Sequence, residues 1–252
     1  MVKDIIESII KDKVENNIYV TNYRTPLVGY ADANNDLFHK LKEVGHPSHL
    51  LPKDLLDGAK TVVAFFIPFR KELIEENKAH SYVSPSWALA YVETNNLIGE
   101  INKKIQRELK KIGINSKTLK ATHNFDKDLI MSRWSHRHVA YITGLGTFGI
   151  NNLLITEKGC AGRIGSFVID EYIEPNKIQK DELCLYKQDK SCAFCLDNCP
   201  VSAFEENEFA RARCYEYLLD VVEHFKDVDP ACDVCGKCNC GPCAILEKGE
   251  YR

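Results

Sequence analysis

Ten of the eleven cysteines in this 252-residue chain lie at or beyond residue 184, and only Cys160 stands apart. Thiols crowded in this way are either cross-linked or held by metal. Cross-linking suits small secreted chains, whereas a long chain in a reducing compartment keeps thiolates for metal or redox work. Residues 1–11 alternate charges with isoleucines at helical spacing, which is the pattern of an amphipathic helix and not of a signal peptide. The longest apolar run, residues 62–69, is interrupted by Pro68 and is far shorter than the roughly 20 residues that cross a bilayer. The chain therefore reads as cytoplasmic, with no membrane partner and with its cysteines reserved for metal. A net charge of -3 provides no global field to draw it onto nucleic acid.

The spacing of the cysteines narrows the metal. Cys192, Cys195 and Cys199, the last followed by Pro200, form C-x2-C-x3-C-P, the tail of the bacterial ferredoxin run that ligates 4Fe-4S clusters. Where that run has its first cysteine this chain has Asp189, and Cys184 is the substitute. In two-cluster modules the cysteine before proline serves the other cluster. That crossed logic assigns Cys184, Cys192, Cys195 and Cys243 to one 4Fe-4S cluster and Cys199, Cys214, Cys235 and Cys238 to a second. The competing reading is zinc, because Cys192/Cys195 and Cys235/Cys238 are two C-x2-C pairs. It leaves Cys184, Cys199 and Cys214 without a purpose. Cys160, Cys232 and Cys240 read as free thiols, although Cys232 or Cys240 could take the place of a neighbouring ligand.

Upstream, residues 1–182 read as an α/β unit and residues 183–252 as the cluster domain, with the polar stretch 171–182 as linker. Residues 61–67 are a continuous apolar run, as expected of a strand buried on both faces. Pro85 opens a long helix whose stripe is Leu97, Ile101, Ile105, Leu109 and Ile112, and Gly113 ends it. Residues 152–156 and 164–169 flank a turn-rich segment and suggest a hairpin. His46 and His49 flank Pro47 in a loop and read as surface histidines.

Residues 144–149 match G-x-G-x-x-G, but the segment before them looks helical and the segment after them extended, the reverse of a dinucleotide fingerprint. Glycines here would permit either the approach of a large flat ligand or a tight helix-to-strand turn. Arg133, His136 and Arg137 precede the loop and are candidates to supply a proton or neutralise an anion.

The glycine loop through Asn151, Gly165-Ser166, Cys192 to Pro200 and the stretch from Ala212 to Leu218 together resemble the epoxyqueuosine reductase family, over roughly residues 50–243. Reductive dehalogenases look similar in this core. The resemblance implies an α+β fold, a nitroreductase-like α/β domain followed by a ferredoxin-like domain with two 4Fe-4S clusters. It also implies cobalamin as second cofactor, with Gly144, Gly146 and Gly149 beside it. Electrons would come from a ferredoxin or flavodoxin, and the substrate would be a small molecule or a modified nucleoside. The family's proton-donating aspartate falls where this chain has Ile130, so Asp128 nearby and His136 are the catalytic candidates. The chain stops nine residues after Cys243, without the helical-repeat extension that longer members set against tRNA. A second reading is an electron-transfer or corrinoid-activating protein that reduces a partner's cofactor.

Overall fold

The computed structural model describes residues 1–119, 125–204 and 209–246. In chain order the elements are α1 (Val2–Glu15), β1 (Leu27–Asp32), α2 (Leu37–Val44), α3 (Pro52–Leu55), β2 (Thr61–Pro68), α4 (Lys71–Ala79) and α5 (Pro85–Lys111). There follow β3 (Ser116–Thr118), β4 (Phe125–Asp126), β5 (Met131–Ser132), α6 (His136–Ile142), β6 (Gly146–Phe148), β7 (Leu154–Thr156) and β8 (Gly162–Ile169). The cysteine-rich part supplies α7 (Leu185–Asp189), α8 (Phe194–Asp197) and α9 (Arg211–His224), then two single 3-10 turns, Lys237–Asn239 and Pro242–Ala244. The fold is thus mixed α and β. No helix among the described residues is long and apolar enough to cross a membrane.

A four-stranded antiparallel sheet in the order β1-β2-β8-β3 lies at the centre. All eight residues of β2 are buried, which explains its unbroken apolar sequence: both faces are covered. Because side chains alternate along a strand, Val63, Phe65 and Ile67 enter one core with Ile6 and Ile10 of α1 and Leu97, Ile101 and Ile105 of α5. Val62 and Ala64 enter the other with Phe38, Trp134 and Ile142. Each such side chain contributes roughly 1.5–3 kcal/mol when fully withdrawn from water. Ser84 caps α5, its Oγ accepting from Trp87 N at 3.2 Å, and Pro85 follows at the first helical position. Ile112 leaves the expected stripe; it lies past the last helical residue and is exposed.

The expected hairpin between residues 152–156 and 164–169 does not form. β7 pairs instead with β6, in the register Gly146↔Thr156, Thr147↔Ile155 and Phe148↔Leu154. β8 runs on into the central sheet, where the apolar stretch from Phe167 to Ile169 finds a partner on either side. The cysteine-rich segment shares the first core, into which Val221, Cys240 and Ala244 are packed.

Candidate functional site

The eleven cysteines are all free, and eight of them fall into two groups. Burial pushes the Cys195 thiol up to about 12, and the neighbouring thiols of Cys243, Cys184 and Cys192 act in the same direction. Burial likewise pushes Cys235 up to about 12, with Cys214 and Cys199 beside it. Cys238 is driven well above the ordinary thiol range, first by burial and then by Cys235, Cys214, Cys195 and Cys199. Cys195 thus lies with Cys184, Cys192 and Cys243, and Cys235 with Cys199 and Cys214, while Cys238 is close to both. Cys184, Cys192, Cys195 and Cys243 border one apolar cavity together with Cys238, Ile150 and Phe194. Crowded, buried thiols of this kind resist ionising one another, and a bound cationic centre is what reverses that balance.

Short elements set these positions. Cys184 is the N-cap of α7, Cys195 lies on α8, Cys214 on α9, and Cys238 and Cys243 on the two 3-10 turns. The Cys199 sulfur accepts from Ala203 N at 3.2 Å. Cys232 is packed instead among Ala88, Tyr91 and Val92. Cys240 donates to Gly236 O at 3.2 Å and accepts from Asn77 Nδ2 at 3.6 Å.

The β4–β5 hairpin leans on α9. The Phe125 and Tyr215 rings meet edge to face at 5.6 Å, and Arg211 Nη1 donates to Leu129 O at 3.3 Å. Asp126 Oδ1 accepts from the Asp128 and Leu129 backbones at 3.0 Å each, which holds its carboxyl below the usual carboxylate range. Asp128 is exposed at the turn itself. His46 Nδ1 accepts from Ser48 N, so the opposite nitrogen carries the hydrogen, and that Nε2 lies 3.6 Å from Asp126 Oδ2. His46 and His49 are buried at 4% and 1% exposure, which corrects the reading of them as surface groups. His49 Nε2 accepts from Ser135 N at 3.0 Å, and its ring stacks on Trp134. A loop histidine followed by a hydroxyl-bearing N-cap was the signal available in the sequence, but the pairing spans 86 positions.

Ile130 closes the hairpin turn with φ at +51°. A β-branched residue in the left-handed region is strained by about 1–2 kcal/mol. Ile130→Asn should accordingly raise the unfolding free energy by about 1 kcal/mol in a urea titration.

His136, at the start of α6, places Nδ1 2.7 Å from Ser166 Oγ on β8, and Trp134 Nε1 donates to the same oxygen at 3.0 Å. Ser166 accepts from Trp134 and holds the His136 ring by its Nδ1. Asp128 and His136 thus rest on different supports, the hairpin on α9 and the helix on the sheet. His138, not singled out in the sequence, is depressed to about 4 by burial and by Arg137. Arg137 is exposed; the protein around it lowers its guanidinium pKa, and its Nη1 donates to Asn152 O at 2.6 Å. Cys238 and Cys214 act on it favourably, Arg211 and Arg163 unfavourably, so Arg137 lies beside the second thiol group.

The glycine loop serves the chain's own packing. Gly144 takes φ of +79° at the end of α6, and a Cβ there would lie 2.4 Å from Lys177 O. At Gly146 a Cβ would lie 2.0 Å from Ile155 O across the β6–β7 pair, and at Gly149 2.8 Å from Asn151 Oδ1. At each of these positions the space a Cβ would need is filled by the chain's own atoms, as the tight helix-to-strand turn requires.

No protein-family model matches the chain, and no curated protein sequence matches it. Solved structures do. An epoxyqueuosine reductase superimposes with a TM-score of 0.60 at 18% identity, over 96% of this chain and 66% of that one. The enzyme from Streptococcus thermophilus gives 0.58 at 17%, over 94% and 63%. A catabolic reductive dehalogenase, in complex with 3-bromo-4-hydroxybenzoic acid, gives 0.57 at 16%, over 84% and 28%. The chain has the fold of an epoxyqueuosine reductase. It spans just under two thirds of the length of the epoxyqueuosine reductases it resembles. Within that fold, the β4–β5 hairpin contacts α9, which carries Cys214, and Arg137 lies beside Cys214 and Cys238.

Proposed function

We propose that the chain is an iron-sulfur reductase in which two 4Fe-4S clusters feed electrons to cobalamin, which reduces a modified nucleoside. The observation that supports this is the gathering of eight free thiols from distant parts of the sequence, Cys195 beside Cys184, Cys192 and Cys243, and Cys235 beside Cys199 and Cys214, with Cys238 next to both. Cys184, Cys192, Cys195 and Cys243 would hold one cluster, and Cys199, Cys214, Cys235 and Cys238 the other. No three of the described His, Cys, Asp and Glu side chains are set around a single ion. A four-iron cluster spreads its thiolates around a cube, and thiols bordering an apolar cavity suit that shape.

Arg137 offers guanidinium donors suited to phosphate and amide oxygens, and it borders Cys214 and Cys238, where electrons would leave the second cluster. Cobalamin, when bound, supplies the reducing chemistry. The protein's task is to orient the ligand, exclude water and provide a proton. Asp128 at the hairpin turn and His136 are the groups proposed to deliver it. His46 and the two backbone donors fix Asp126, and with it the turn on which Asp128 sits. The substrate class comes from the fold: one epoxyqueuosine reductase of this group has been solved with an epoxyqueuosine-modified tRNA stem loop.

Anaerobic titration with cob(II)alamin tests the reading. A saturable spectral shift is expected, weakened at least tenfold by Arg137→Ala with iron content unchanged. No shift at tens of micromolar protein would leave a plain electron carrier. With a modified stem loop as substrate, Asp128→Asn should slow turnover by about 10²-fold or more while leaving cofactor reduction intact.

A further inference from the structure

Cys160 is the one cysteine outside the C-terminal cluster in sequence, yet the fold returns it there. Its backbone N–H donates to Cys243 O at 2.9 Å, and Ala161 N donates to Ala244 O at 3.1 Å, so residues 160–161 run as a strap beside residues 243–244. The strap is tight, since a Cβ on Gly159 would lie 2.2 Å from Ala244 O. The Cys160 sulfur, 4% exposed, sits 3.6 Å from the Cys243 sulfur and is enclosed with Ile155, Cys184 and Leu246. Both the backbone and the side chain of Cys160 thus address the same residue.

We propose that Cys160 is a positioning residue that remains a thiol and donates an S–H···S hydrogen bond to the Cys243 thiolate, raising the reduction potential of the cluster bound there. This rests on the cluster reading above. When Cys243 ligates iron it has no proton to give, so the hydrogen between the two sulfurs comes from Cys160. Adding one electron to a cluster increases the negative charge on its sulfurs, and a donor aimed at one of them stabilises the reduced form more than the oxidised form. Burial removes competing water and fixes the donor. The second thiol group has a counterpart in Ala203 N, which donates to Cys199, so each group has a donor from outside its own ligands.

The test is a dithionite-poised redox titration of the reconstituted full chain, followed by electron paramagnetic resonance, with iron counted on the same samples. Cys160→Ala should keep the wild-type iron content while one cluster signal shifts to a more negative potential. The reduced-to-oxidised ratio at fixed potential should fall about threefold, or about 30 mV for one electron. Cys160→Ser, which retains a donor, should restore most of that shift. Loss of half the iron in Cys160→Ala would make Cys160 a ligand and overturn the proposal. Full iron with an unmoved potential would make it a spectator and overturn it as well. A wild-type chain that takes up no iron would overturn the cluster reading itself, and the inference with it.

Discussion

Protein prepared without oxygen should carry about eight irons and eight acid-labile sulfides per chain, and Cys195→Ala should retain about half of them. Cys195 is the informative position because the other three thiols of its group, Cys184, Cys192 and Cys243, all act on it. Its removal leaves that proposed set with three thiols, Cys184, Cys192 and Cys243, and leaves the Cys199, Cys214, Cys235 and Cys238 set whole. Cys235→Ala should remove the complementary half. The stability cost should be large in both cases, because metal-binding free energy is folding free energy where short elements cannot hold themselves together. α7 and α8 are five and four residues long and contain no buried residue. Stoichiometric zinc with negligible iron, measured by elemental analysis, would refute the assignment.

Trp134→Ala should lower the unfolding free energy by about 3–5 kcal/mol, as measured by urea denaturation. The side chain is among the largest that are fully buried, stacked on Phe38 at 6.4 Å and on His49 at 5.7 Å. Its indole nitrogen also meets Ser166, the hydroxyl that orients His136. Trp134→Phe should therefore recover most of the packing but remain about 1 kcal/mol below wild type, the worth of one hydrogen bond. If Trp134→Phe matches the wild type in stability, the Ser166 link is not contributing.

The sequence made some layers of this molecule legible and hid others for identifiable reasons. β2 could be read because eight consecutive buried residues leave a continuous apolar run, and α5 because its stripe repeats at the helical period. The β6–β7 pair could not: three residues each, with glycine at the register position where Ile155 O presses in, carry no alternation to read. β8 was mistaken for half of a local hairpin because its partners, β2 and β3, lie far upstream. The cysteine spacing suggested two ligand sets; in the fold Cys195 lies among Cys184, Cys192 and Cys243, Cys235 lies with Cys199 and Cys214, and Cys238 is close to both sets. The polar shell was the least legible. His46, His49 and His138 acquire their roles from contacts with Asp126, Trp134 and Arg137, and nothing in their immediate sequence announces burial.

The strand order has a consequence for how the molecule comes to exist. β8 lies between β2 and β3, with Ile169 opposite both Thr61 and Ser116. Until residue 169 has been synthesised, β2 has only β1 beside it and an apolar edge open to solvent. Contacts across such separations are slow to form, because a long loop must close before it is rewarded. The strap at residues 160–161 leads directly into β8, so the surface against which Cys243 docks is complete only once that central strand is in place. On the proposed cluster reading, iron loading would be a late event of maturation, and a nascent chain halted before β8 would expose aggregation-prone edges well before it could capture metal.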